Sequence, residues 1–230
     1  MKNITTAKIH LLVISVLFAF LATSCKKAND ETTVTDIDGN VYNIITIETQ
    51  VWMVENLRTI KFSNGDLIGT TDPPDKSING EITPEYQWAY NGDEDNVDTY
   101  GRLYTWYAAI DNRNICPTGW HVPSDDEWTT LADNLGGLDI AGGKLKEPGT
   151  THWKTPNAEA SNLSGFMALP GGYRGFNGLY YDMSEWGNWW SSTASDETQA
   201  WLRWLYYDDG TLGRGLYGKE NGMSVRCLKD

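Results

Sequence analysis

Cysteine, histidine and basic side chains are all scarce in this chain, and each shortage closes off a class of function. There are three cysteines and three histidines among 230 residues. The cysteines stand at positions 25, 116 and 227, too far apart in sequence to form a reactive pair of neighbouring thiols. His10 lies in an N-terminal apolar run, which leaves His121 and His152. Neither has beside it a Ser/Asp pattern with the mechanics of a nucleophile–base relay, so no catalytic residue is assigned. His121, next to Trp120 and just before a helix start, is expected to be packed and hydrogen-bonded. Carboxylate pairs of the glycosidase kind are defined in space, and nothing in the sequence recommends one. Basic residues number 18 against 31 acids, a net charge of −13. Without the Lys2 and Lys8 of the leader the balance is 16 − 31 = −15. Nucleic acid and anionic membrane surfaces attract basic patches, so neither is an expected partner of so acidic a body.

An apolar run long enough to span a bilayer is also missing. Ile9 to Ala22 is almost wholly apolar but shorter than the roughly 20 residues a permanent span requires. Lys2 and Lys8 before it, and the small residues Ala22-Thr23-Ser24 after it, give it the form of a signal peptide. LATSC, ending at Cys25, resembles a lipobox, so residues 1–24 read as a lipoprotein leader and Cys25 as the lipidated residue. The alternative is an ordinary secretory signal. More than one acyl chain on Cys25 would anchor the protein stably. The expected location is the outer membrane of the cell envelope, with the periplasmic or surface face left open. Residues 25–33 are a polar tether, and residues 34–230 fit one domain. In an extracytoplasmic protein, Cys116 and Cys227 are a candidate disulfide, with two buried thiols as the alternative.

The elements present indicate an α+β fold. Asp38-Gly39, between β-branched runs, signals a hairpin, and Val51–Val54 continues as a strand. Residues 63–98 read as a long irregular stretch broken only by the aromatic run 86–90. Leu103, Trp106, Tyr107 and Ile110 make a helical stripe. A second helix starts at a capping box, Ser124 to Glu127, and shows Trp128, Leu131, Ala132 and Leu135 on one face before Gly136. Residues 136–165 read as loop. Trp201–Tyr207 and Leu212–Tyr217 flank a turn at Asp209-Gly210, and Asn221-Gly222 precedes a last strand. Strands at both ends with helices between point to segregated elements.

Several segments carry a resemblance. DIDGNVYNIITI (36–47), VWMVENLRT (51–59), YGRLYTWYAA (100–109), CPTGWHVPSDDEWTTL (116–131), SGFMALPGGYR (164–174), WWSST (189–193) and SVRCLKD (224–230) look like the Fibrobacter succinogenes major paralogous domain family. The resemblance implies a secreted or surface lipoprotein domain with no established activity. HVPS at 121–124, GGYR at 171–174, WWSS at 189–192 and the terminal SVRC also resemble formylglycine-generating-enzyme-like domains. That likeness implies a C-type-lectin-like fold: a twisted antiparallel sheet, two helices and a long irregular loop region. In that fold a cysteine near a helix is commonly bridged to one in the last strand, which suits Cys116 and Cys227.

An oxidase of that enzyme's kind resembles a copper site built from close cysteines, which this chain lacks. Glu-Pro-Asn, Gln-Pro-Asp and Trp-Asn-Asp, the calcium-dependent sugar motifs of true C-type lectins, are missing too, although Trp186-Gly187-Asn188 lies nearby. The run Asp93 to Asp98 could supply calcium with oxygen ligands but lacks EF-hand spacing, so no metal ligand or cofactor is assigned. Aromatics remain: eleven tryptophans and twelve tyrosines. Most are expected in the core, Trp106 and Trp128 among them. Tyr180, Tyr181 and Trp186, among glycines, are the preferred ligand contacts, followed by Trp153 and Asn157. The expected function is a non-catalytic module that binds glycan or protein. A formylglycine-type oxidase and a structural surface or pilus-associated subunit are the alternatives.

Overall fold

The structure, a computed structural model, describes residues 31–230; the leader, Cys25 and most of the tether lie outside the described residues. The first hairpin pairs β1 (Thr33–Thr35) with β2 (Val41–Ile47), and β3 (Gln50–Met53) follows. Its turn is organised by Asp36, whose carboxylate accepts from the Asp38 and Asn40 amides at 3.0 and 2.9 Å. Next come β4 (Gln87–Trp88), the single-turn helix α1 (Val97–Tyr100), β5 (Leu103–Thr105), a second single turn α2 (Trp106–Ala109) and β6 (Trp120–His121). Helices α3 (Asp125–Asn134) and α4 (Leu138–Leu145) precede β7 (Tyr173–Arg174) and β8 (Tyr180–Tyr181). The chain ends with β9 (Trp186–Ala194), β10 (Gln199–Tyr206), β11 (Gly213–Gly218), β12 (Gly222–Met223) and β13 (Leu228–Lys229).

These strands form three sheets, in the orders β1-β2-β3-β13-β6, β11-β10-β9 and β4-β5-β12-β7-β8. Each strand pair is antiparallel. The fold is α+β and mostly sheet, with a few short helices. Among the described residues no helix is long and apolar enough to cross a membrane.

Strand alternation distributes the apolar side chains between two buried clusters. Trp190, Leu202 and Met53 enter one, whereas their near neighbours Trp189, Leu205 and Trp52 enter the other. Trp106 and Trp128 are both buried, one in each cluster. The capping box of α3 forms as its sequence directs. Ser124 Oγ accepts from the Glu127 amide, and the Glu127 carboxylate accepts from the Ser124 amide. Arg203, fully buried on β10, pairs with Asp125 at the start of this helix at 2.8 Å. Cys116 and Cys227 are disulfide-bonded, with Cα atoms 6.0 Å apart, inside the first cluster.

Two expectations about helices need correction. The stripe from Leu103 to Ile110 does not form one helix: Leu103 lies in β5, the helix lasts a single turn, and Ile110 is exposed. Sheet pairing takes priority there, because Tyr104 is held between Gln87 and Met223. Conversely, part of the expected loop 136–165 is helix α4. Its Gly142 and Gly143 read as helix breakers, yet close packing requires them. A Cβ at Gly142 would lie 2.3 Å from the Thr211 carbonyl oxygen.

Candidate functional site: an aromatic groove

The groove is built where β7, β8 and the β9–β10–β11 sheet present aromatic rings to solvent. Trp186 begins β9 and Trp204 faces it from β10, their rings 5.1 Å apart and edge to face. Tyr206 packs on the same indole at 4.4 Å. Tyr173 on β7 stacks against its cross-strand partner Tyr181 at 5.0 Å and meets Tyr217 of β11 edge-on at 5.4 Å. Each contact lies in the range where aromatic pairs attract, so the rings hold one another in place.

Two hollows result. The first, about 350 Å³, has Trp186, Trp204, Tyr173 and Tyr217 as walls, with buried Leu202 and Met223 also lining it. Asp182 and Asn188 supply its polar atoms. The second, about 440 Å³, adjoins it through the shared Tyr173, Leu216 and Tyr217 and adds Tyr181, Phe176, Asn177 and Glu220. No Lys or Arg lines either hollow. Burial, and then the neighbouring Glu185, push the Asp182 carboxyl above its usual pKa. Burial and the Tyr217 hydroxyl likewise push the Tyr173 phenol up, so it stays a neutral donor. Flat apolar faces rimmed by amide, hydroxyl and carboxylate groups can stack on a ring and hydrogen-bond its substituents.

The model of the Fibrobacter succinogenes major domain matches residues 45–229. The chain belongs to that family. No curated protein and no solved structure matches it.

Within this Fibrobacter succinogenes major domain the five aromatic and polar residues expected at a ligand site divide. Tyr181 and Trp186 are half-buried and line the groove. Tyr180 is half-buried too but faces the other way, as neighbours on a strand must. Its ring packs on Tyr90 at 5.3 Å, and its hydroxyl donates to the Pro74 carbonyl at 3.3 Å. Trp153 and Asn157 are buried and offer no ligand surface, which corrects the expectation for both. Trp153 belongs to the second apolar cluster and donates its indole N–H to the Ala168 carbonyl at 3.0 Å. Asn157 donates to the Glu147 and Gly149 carbonyls at 2.8 and 2.6 Å. Both lie in a stretch that looks like surface loop in sequence but folds back onto the core.

Tyr173, Trp204 and Tyr217 are groove residues that no local sequence pattern marks as contacts. The available signal was the alternation Gly213, Gly215 on the strand opposite Trp204, which leaves one face of β11 bare for an indole.

Elsewhere the polar clusters are consumed by structure. His121 bonds Asp230 at 2.6 Å through Nδ1 and Glu127 at 3.0 Å through Nε2, as packing beside a helix start suggested. Ser124 bonds Glu127 rather than the imidazole, so no relay forms. In the acidic run, Asp93 accepts from the Asp95 amide at 3.1 Å and Glu94 pairs with Arg102. Among the described residues no three His, Cys, Asp or Glu side chains gather closely enough to hold a metal ion.

Proposed function

We propose that this Fibrobacter succinogenes major domain is a non-catalytic, lipid-anchored binding module of the cell envelope that holds glycan in the aromatic groove. The observation that carries the reading is the pair of adjoining hollows walled by Trp186, Trp204, Tyr173 and Tyr217. Two connected seats of this size, each with an aromatic face and polar atoms at the rim, suit consecutive sugar rings better than a single compact metabolite. Rigid rings give contact area at little entropic cost.

The oxidase alternative lacks support in this chain, because Cys116 and Cys227 are joined to each other and leave no thiolate to bind copper or react. A lectin-like arrangement is supported by the pinning of the chain's ends. The terminal β13 lies between β3 and β6, and the disulfide fixes its approach.

The test is a glycan array probed with the full chain in detergent, with and without calcium, followed by calorimetry on any hit. Binding that falls in Trp186→Ala and Tyr217→Ala supports the reading. A clean array, or hits untouched by both substitutions, overturns it. The anchor is tested separately. Cys25→Ala should release the protein from the membrane fraction, and retention after a carbonate wash would remove the lipid anchor from the proposal.

A further inference from the structure

Some aromatic rings elsewhere in the protein have one of its own cations over them, and among the described residues the four groove walls have none. The guanidinium of Arg214 lies 3.3 Å from the centre of Trp201, that of Arg174 lies 3.9 Å from Trp88, and that of Arg113 lies 3.8 Å from Phe62. Lys154 sits over Tyr207, just outside the groove, at 4.7 Å. Among the described residues no Lys or Arg covers Trp186, Trp204, Tyr173 or Tyr217.

The carboxylates of the protein are of both kinds, some ion-paired and many not. Glu185, Asp125 and Asp111 each have a basic partner within 3 Å. Asp182 and Glu220, which line the two hollows, form no ion pair among the described residues. Asp182 is also held in left-handed backbone, φ 62°, and lines the same hollow as Trp186. Uncovered ring faces carry negative potential, and an unpaired carboxylate adds to it. Burial first and Glu185 second push the Asp182 carboxyl up, and an arriving ammonium would favour its charged form.

We infer that the glycan held in this groove is basic: an amino sugar whose free ammonium sits between Asp182 and the faces of Trp186 and Trp204. The inference rests on the glycan reading above and adds the charge of the ligand. An acidic glycan would meet two carboxylates with no counter-charge, and a neutral one would hydrogen-bond them without balancing their charge.

The experiment is calorimetry on the full chain in detergent with three probes: a glucosamine tetramer, the same tetramer fully N-acetylated, and tetramethylammonium. A mildly acidic buffer keeps the sugar amines protonated. The glucosamine tetramer should bind about tenfold tighter than its acetylated counterpart, a ratio within reach of one desolvated cation–aromatic and carboxylate contact. Added salt should narrow that gap. So should Asp182→Asn, which keeps the shape and tolerates the left-handed backbone. Equal binding of the two tetramers would overturn the charge inference and leave the glycan reading in place. Binding of tetramethylammonium with neither sugar would uphold the charge and overturn the glycan reading. Failure of all three would overturn both.

Discussion

The indole of Trp204 occupies the space that a side chain at Gly213 would fill. The two residues are register partners on β10 and β11, and a Cβ at position 213 would lie 1.8 Å from the Trp204 ring. The wall of the first hollow is therefore laid on bare backbone. Gly213→Ala should push the indole out of position, at a cost of about 1–3 kcal/mol in stability, as overpacking does, with loss of ligand affinity. Gly215→Ala is the comparison. Its Cβ would come no closer than 3.7 Å to the indole nitrogen, an ordinary contact, so stability should change by no more than about 0.5 kcal/mol. Urea melts of the two variants decide this. Equal destabilisation would mean that Trp204 has another low-energy position.

The disulfide joins residues 111 apart in sequence. In the chain-entropy view, closing a loop of that length stabilises by about 4–5 kcal/mol, and native strain reduces the figure. Both sulfurs are buried, so reductant alone should act slowly and reductant with urea quickly. The unfolding midpoint should then fall by an amount equivalent to several kcal/mol. A midpoint indifferent to reduction would show that the apolar cluster around the bridge suffices.

His121 gives the stability a pH signature. Burial draws its pKa down, but the hydrogen bonds it donates to Asp230 and Glu127 outweigh burial and raise it. Its contribution is therefore complete below the unfolded value near 6.5 and is lost as pH rises through the higher folded value. Glu127 runs the opposite way. Burial opposes ionisation, yet bonds from Ser124 and His121 lower its pKa, so its contribution is present above about 4.5 and lost as pH falls through the lowered value. The two overlap between about pH 4.5 and pH 6.5. The pair is more than a third exposed, so the effect should stay under about 1 kcal/mol. The melting-temperature difference between the natural protein and His121→Gln should peak in that window and shrink toward alkaline pH. A difference constant with pH would contradict the assignment.

How much of this was legible in sequence depended on whether the deciding interaction was local. The capping box at Ser124 and Glu127, the Asp38-Gly39 turn and the strand through Trp201–Tyr207 each involve residues close together in the chain. Each appears as its pattern directs. Trp128 belongs with them. It sits on the apolar face of α3, is fully buried against Trp52 and Phe166, and on replacement by Ala should cost about 3–5 kcal/mol. Helix α4 was hidden because its glycines answer to Thr211 and Glu159, far along the chain, rather than to local propensity. Trp153 and Asn157 were misplaced for the same reason, since their partners Ala168, Glu147 and Gly149 become visible only once the loop has folded. The groove was half legible. Tyr181 and Trp186 stand among glycines, but the walls they meet come from β7, β10 and β11.

That geometry separates residues that the sequence presents as one group. Tyr180 and Tyr181 are adjacent, yet only Tyr181 and Trp186 line the groove, and Tyr180 is committed to Tyr90 and the Pro74 carbonyl on the other face. Removing a central aromatic contact typically costs about 1–3 kcal/mol of binding, so Trp186→Ala should weaken whichever glycan the array identifies by roughly five- to a hundredfold. Tyr181→Ala should cost less, because Tyr173 remains beneath the same surface, held edge-on by Tyr217. Tyr180→Ala should leave affinity unchanged and register only as a loss of stability, since what it removes is a packed ring and one hydrogen bond. Calorimetry and a urea melt on each of the three variants separate the two effects. A Tyr180→Ala protein that binds as poorly as Trp186→Ala would move the ligand to the opposite face of β8, against Pro74 and Asp75, and would empty the aromatic groove of its assigned role.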